Sequence, residues 1–136
     1  MISTELARAL HDSGLAWHPA AGDAFRIDHI EAEADVFYLS DMTIEAHDLT
    51  TGTELGFNGT TEWALDSVAI DEALWLPSES QLRTLLGPAF VGLEFDGAQL
   101  RVRARIAGEP REFTAEIAED AYARALLALL DDVTAV

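Results

Sequence analysis

Between Leu74 and Pro88 the chain writes out one helix with both ends specified. Ser78 stands at an N-cap and Gln81 three residues on, the pair that satisfies two free backbone N–H groups reciprocally in a capping box. Pro77 and Leu82 occupy the positions of a hydrophobic staple. Leu82, Leu85 and Leu86 recur at the spacing of one helical face. Gly87 suits a left-handed C-terminal residue, and Pro88 stops propagation. The spacing therefore predicts a helix over 78–86, preceded by an extended Ala73–Leu76 that enters the core. The expectation is that the rest of the chain packs on the leucine face.

The second half has the clearest pattern. Phe90–Phe95 and Ala98–Ile106 read as strands joined at Asp96-Gly97, a two-residue hairpin signal. Leu100, Val102, Ala104 and Ile106 fall on one face; Arg101, Arg103 and Arg105 fall on the other. A turn at Gly108-Glu109 leads to a strand over 111–117, with Phe113, Ala115 and Ile117 inward. A two-residue loop there would set Arg105 opposite Glu112 and Arg101 opposite Glu116, so charge and apolar face agree on one register. A last helix over 118–131 carries Tyr122, Leu126, Leu129 and Leu130 as its stripe. Glu119 and Asp120 suit its positive N-terminal end, whereas Asp131 and Asp132 oppose the dipole and predict fraying.

The first half is richer in turns. Residues 3–13 predict a helix capped by Ser3 or Thr4, with Leu6 and Leu10 on one face and Gly14 at its end. Trp17 and His18 precede Pro19 and should be extended. Asp23–Ile27 alternates Phe25 and Ile27 inward, and Val36–Leu39 reads as a buried strand. Thr43–Leu49 and Thr53–Phe57 flank Thr50-Thr51-Gly52, a hairpin in which Gly52 would supply positive φ. Residues 60–68 are ambiguous, with a short helix or irregular turn preferred. Trp75 is expected in the core.

Composition bounds the functions open to such a chain. It has 136 residues, of which 49% are hydrophobic, enough for one folded α+β domain. The architecture expected is a largely antiparallel sheet of about six or seven strands, with N-terminal, central and C-terminal helices packed on it. The net charge is −17, and all eight basic residues are arginine. Without lysine there is no Walker-type phosphate loop and no Schiff-base chemistry. Such acidity disfavours direct contact with nucleic acid or an anionic membrane surface. It suits either a solvated, salt-adapted surface or docking on a basic partner. There is no cysteine, hence no disulfide or thiol chemistry. No secretory signal and no membrane-length apolar run stand out, so a cytoplasmic protein is expected.

Candidate sites are few. Asn58, Thr60, Thr61 and Glu62 form a polar cluster between Phe57 and Trp63. With Asp66 they make the best recognition loop in the chain, built on an Asn58-Gly59 turn. Glu62, Asp66, Asp71 and Glu72 could supply a carboxylate pair for acid–base chemistry. Glu45 and His47, near Asp41 and Asp48, share a strand face, but a metal site needs three or four converging ligands. His11, His18 and His29 have no ligand-like spacing. The arginine strand could grip an anion, although its acidic neighbours suit structural pairing better. No cofactor, metal or catalytic residue is assigned.

Several blocks carry a resemblance: Ser40-Asp41-Met42-Thr43-Ile44-Glu45, Phe57 through Ser67, Leu74-Trp75-Leu76-Pro77 with Gln81-Leu82-Arg83, and Glu119-Asp120-Ala121-Tyr122. Together they resemble a group of small bacterial proteins often labelled pilus assembly protein. The pilus assembly factor of that name is a large ATPase with a phosphate-binding loop, and this chain has neither lysine nor a Gly-rich loop. The resemblance thus implies a family and no catalytic residues. The leading expectation is a non-enzymatic interaction or accessory module with another protein as partner. The alternatives are a small carboxylate-dependent hydrolase or ligand-binding enzyme, and an acidic mimic that blocks a basic, nucleic-acid-binding partner.

Overall fold

The capping box forms as its residues require. The Gln81 backbone N–H donates to the Ser78 hydroxyl oxygen at 3.2 Å, and the Ser78 N–H donates to Gln81 Oε1 at 2.9 Å. This fixes the start of the central helix. The computed structural model describes residues 1–27, 36–39, 44–49, 52–57, 67–69 and 72–134, the three strands between 44 and 69 through their backbone. In chain order the elements are α1 (Thr4–Asp12), β1 (Ala24–Ile27), β2 (Phe37–Tyr38), β3 (Ile44–Leu49), β4 (Gly52–Phe57), β5 (Ser67–Ala69), β6 (Ala73–Leu76), α2 (Glu79–Leu86), β7 (Phe90–Phe95), β8 (Leu100–Ile106), β9 (Glu109–Ala115) and α3 (Ala118–Thr134).

The fold is α+β. All strand pairs among the described residues are antiparallel, and they form three three-stranded sheets, β2-β1-β6, β3-β4-β5 and β7-β8-β9. That differs from the one larger sheet expected. Contacts gather into two units, one of residues 1–16 with 77–136 and the other of residues 17–76.

In the first unit α3 lies across β8 and β9, and α1 and α2 pack on α3. Val102 and Ala104 are fully buried, and Ile106 nearly so, as alternation predicts. On the helical side Leu82, Leu86, Ala121, Tyr122, Ala125 and Leu126 are buried. Leu85, expected on the same face, is exposed, whereas Leu82 and Leu86 carry the buried ridge of α2. Gly87 has φ 55° and ψ −133°, positive φ but not the left-handed helical basin. Pro88 does not end helical geometry at once; a 3-10 turn over Gly87–Ala89 follows.

The last helix runs to Thr134, three residues past the expected end. The adverse charge of Asp131 and Asp132 does not end it, since dipole effects of about 0.3–1 kcal/mol are smaller than the packing of a long apolar stripe. Arg124 Nη1 donates to the Thr114 carbonyl at 2.8 Å and ties α3 to β9. At the other end Asp120 Oδ1 accepts from the Ser3 N–H at 2.8 Å, and the Met1 amino group pairs with Glu119. Burial alone would raise the Glu119 carboxyl; the hydrogen bond and charge of that amino group, with a backbone N–H, hold it below the ordinary range instead.

In the second unit Phe25 and Ile27 are buried as expected, with Leu39 and Ala73 completing the cluster. Trp17 and Phe37 pack against it. The strand expected at Val36–Leu39 shortens to Phe37–Tyr38; Phe37 packs on the cluster, and Tyr38, the next residue along the strand, is exposed. Trp75 is half-buried rather than core: in β6 it points opposite to the buried Leu74 and Leu76. β3 and β4 pair with Leu49 opposite Gly52, so Gly52 is a strand residue. Of the ambiguous 60–68, Ser67 and Val68 are strand, paired to Gly56 and Leu55; residues 60–66 lie outside the described residues.

Candidate functional site

Two hairpin turns decide where the charges of the β7-β8-β9 sheet fall. At the first, Phe95 pairs with Leu100 and the Asp96 N–H donates to the Gln99 carbonyl at 3.1 Å. The turn therefore centres on Gly97-Ala98, one residue later than Asp96-Gly97. Gly97 has φ 96°, and Asp96 Oδ1 accepts from the Ala98 and Gln99 N–H groups at 2.9 and 2.8 Å. Those backbone bonds, from Gln99 foremost, hold the Asp96 carboxyl below its usual range, with Arg101 adding to the shift.

At the second, Ile106 pairs with Glu109, and Ala107 and Gly108 both have positive φ, 53° and 80°. Positive φ at both central residues marks a type I′ hairpin, whose twist matches the strands it joins. The turn is again one residue from the expected place, which moves the register by two. A shift of two preserves the faces. It moves the charge pairs: Arg103 faces Glu112, Arg101 faces Thr114, and Arg105 faces Pro110. Glu116 lies beyond the strand, and Ile117 is exposed rather than inward.

The outer face of the sheet is consequently a closed ion-pair network. Arg101 reaches Glu94 at 3.2 Å, Asp96 at 3.0 Å and Glu112 at 3.3 Å. Arg103 reaches Glu94 at 2.9 Å and Glu112 at 3.3 Å. Hydrogen bonding to Glu94, then the charges of Glu112 and Asp96, raise the Arg101 guanidinium further above its ordinary value. Two arginines already held by three carboxylates make a poor anion trap. Arg105 has no ion pair among the described residues.

The inner face differs at β7. Phe90 packs its ring on Tyr122, centroids 5.7 Å apart, and carries the Arg83 guanidinium 4.4 Å from its centroid. Burial, then the nearby Glu79 charge, raise the Tyr122 hydroxyl pKa. Beyond Phe90, α3 no longer covers the strand: Leu93 and Phe95 are exposed, Phe95 by 66%. Val91 is exposed too, as the extra residue of a bulge between Phe90 and Gly92. Because Asp96 and Gln99 form a hydrogen-bonded pair, ladder alternation turns Glu94 and Gly92 toward β8 and aims the backbone N–H and C=O of Leu93 and Phe95 at the open edge.

A second aromatic group lies in the other unit. The Trp17 indole N–H donates to Asp23 Oδ2 at 2.9 Å, and the same oxygen accepts from the Ala20 N–H at 3.0 Å. Asp23 is buried. Trp17 stacks on Trp75 with centroids 6.4 Å apart, and the Trp75 indole nitrogen is buried without a hydrogen-bond partner among the described residues. These contacts brace β1 against β6.

The expected recognition loop, Asn58, Thr60, Thr61, Glu62, Trp63 and Asp66, lies outside the described residues, as do Asp41, His29 and Asp71. Glu45 and His47 are in β3, paired with Gly56 and Glu54. Glu72 and His11 are exposed and stand in different units. Among the described residues no three acidic or histidine side chains converge as metal ligands, and no helix is long and apolar enough to cross a membrane. The open β7 edge was not singled out from the sequence. The local signal available is the guard of Glu109, Pro110, Arg111 and Glu112 on β9; the apolar residues of β7 give none by themselves. No family model, curated protein or solved structure matches this chain.

Proposed function

We propose that this protein acts by binding another protein rather than by catalysis, as an interaction module whose contact strand is β7. The observation that carries the reading is the open edge of that strand: backbone groups at Leu93 and Phe95 that have no strand partner among the described residues, beside exposed apolar side chains. Such an edge templates strand addition, in which main-chain hydrogen bonds supply affinity and alternate side chains supply specificity. The paired state of Arg101 and Arg103 further supports a structural rather than anion-binding outer face. A photo-crosslinking residue in place of Val91, introduced in the native cells, tests it. Discrete crosslinked protein adducts are expected from position 91 and not from position 105 on the outer face. Equal or absent crosslinking at both positions would overturn the reading.

A further inference from the structure

We infer that the partner of the β7 edge is a second copy of this chain, joined antiparallel about a two-fold axis at Leu93 into a six-stranded sheet. This rests on the interaction-module reading and names its partner.

A two-fold pairing must match the strand with its own reverse. Centred on Leu93, it sets Leu93 opposite the partner's Leu93 and Gly92 opposite the partner's Glu94. Phe95 falls opposite the partner's Val91 and diagonal to the partner's Leu93, within reach of an aromatic ring. The outward backbone groups of Leu93 and Phe95 are those such a ladder uses. The apolar side chains that α3 leaves uncovered on the two copies then meet each other. The bulge at Val91 limits the ladder to a few residues, so the dimer is weak and concentration-dependent.

Charge complementarity selects this occupant. The chain carries −17, so two copies repel over most of their surfaces. The span 90–115 is locally neutral, with Glu94, Asp96, Glu109 and Glu112 balancing Arg101, Arg103, Arg105 and Arg111. On the outer face the pairing continues one row of alternating sign. From Glu112 it passes to Arg103, then Gly92, then the partner's Glu94 and the partner's Arg101. Gly92 is the gap that lets these charges approach. A Cβ built there meets no atom within 4 Å, and its φ is not positive, so nothing inside the monomer requires glycine. The two-fold repeats the row in reverse, doubling every contact.

The test uses sedimentation equilibrium on the full-length chain. The parent protein should show a reversible monomer–dimer equilibrium. Gly92→Glu sets like charges opposite the partner's Glu94 at two equivalent places, whereas Gly92→Arg sets opposite ones. The first should weaken dimerisation by about tenfold and the second strengthen it by a similar factor, from two symmetric cross-strand pairs. Arg105→Gln and Glu109→Gln make the same one-unit changes in net charge away from β7 and should shift the constant by less than about twofold. Circular dichroism confirms that each variant is folded. A parent that stays monomeric at all concentrations would overturn self-pairing, while the crosslinks at position 91 would still report on a different partner. A dimer that responds equally to the Gly92 variants and their charge controls would overturn it as well.

Discussion

β7 and β9 are the two outer strands of one sheet, flank the same central strand, and are defended very differently. β9 opens with Glu109, Pro110, Arg111 and Glu112: Pro110 withholds a backbone donor, and the charges make strand addition costly. α3 also packs over it, with Arg124 bound to the Thr114 carbonyl. Past Phe90, β7 has no proline and no helix cover, and its one charge, Glu94, is already held by Arg101 and Arg103. Its outward groups sit beside Leu93 and Phe95, and its one blunting device is the bulge at Val91. The difference teaches that the apolar residues of β7 have two separate uses. Phe90 holds the strand to its own domain, and the residues after it are free for something else.

The sharpest way to break this distinction is to truncate the same side-chain type at its two ends. Phe90→Ala removes a ring in contact with both Tyr122 and Arg83, and should cost about 2–4 kcal/mol in denaturant melts at high dilution. Phe95→Ala under the same conditions should change stability by less than about 0.5 kcal/mol. Comparable losses would mean that the distal part of β7 belongs to the domain core after all.

The outer face offers a smaller contrast. Arg103 binds Glu94 on β7 and Glu112 on β9, so it links both edges to the middle strand. Arg103→Gln should cost about 0.5–1 kcal/mol, and Arg105→Gln, opposite Pro110, less than about 0.5 kcal/mol. A double-mutant cycle on Arg103 and Glu112 should give a coupling that shrinks with added salt. A zero coupling would leave the register to the apolar face alone.

The turn that leads into β9 can be improved. Ala107 adopts φ 53°, a conformation costly for a residue with a Cβ and no local side-chain hydrogen bond. Ala107→Asn should raise the denaturation free energy by about 0.5 kcal/mol or slightly more. A loss instead would show that the turn is held open by contacts other than its own backbone.

The turn that leaves β7 carries the smallest effect, and it is visible in acid. A carboxylate whose pKa is lowered on folding contributes stability above its unfolded value, and that contribution is lost as pH falls through the folded value. For Asp96 the loss therefore falls below about pH 4, the ordinary aspartate value. Asp96→Asn should flatten the acid limb of a stability–pH curve there and weaken the link to Arg101. An unchanged limb would show that the turn keeps its shape without the charge.

Much of this unit was legible because its signals are local. The capping box at Ser78 and Gln81 depends on residues three apart. The alternation of Leu100, Val102, Ala104 and Ile106 survives any even shift of register, so the buried face of β8 came out as expected even though both flanking turns were misplaced by one residue. The charge pairs did not survive, because cross-strand partners move with every change in the turn. A turn at Gly108-Glu109 sets Glu112 opposite Arg105; the observed turn sets it opposite Arg103. The candidate recognition loop from Asn58 to Asp66 rested on composition between two aromatic residues, and it lies outside the described residues.

By itself, then, the sequence determined the helices at either side of the β-hairpins, the α+β class and which face of β8 is buried. These follow from spacings of two, three and four residues, which a chain carries wherever it goes. Only the tertiary structure decided that Phe95 is exposed while Phe90 is packed, and that β7 rather than β9 has the open edge. The first depends on where α3 lies across the sheet and the second on the strand order β7-β8-β9, both long-range choices. No residue of β7 announces them, because the same alternation of apolar side chains serves a strand that is covered and one that is left open.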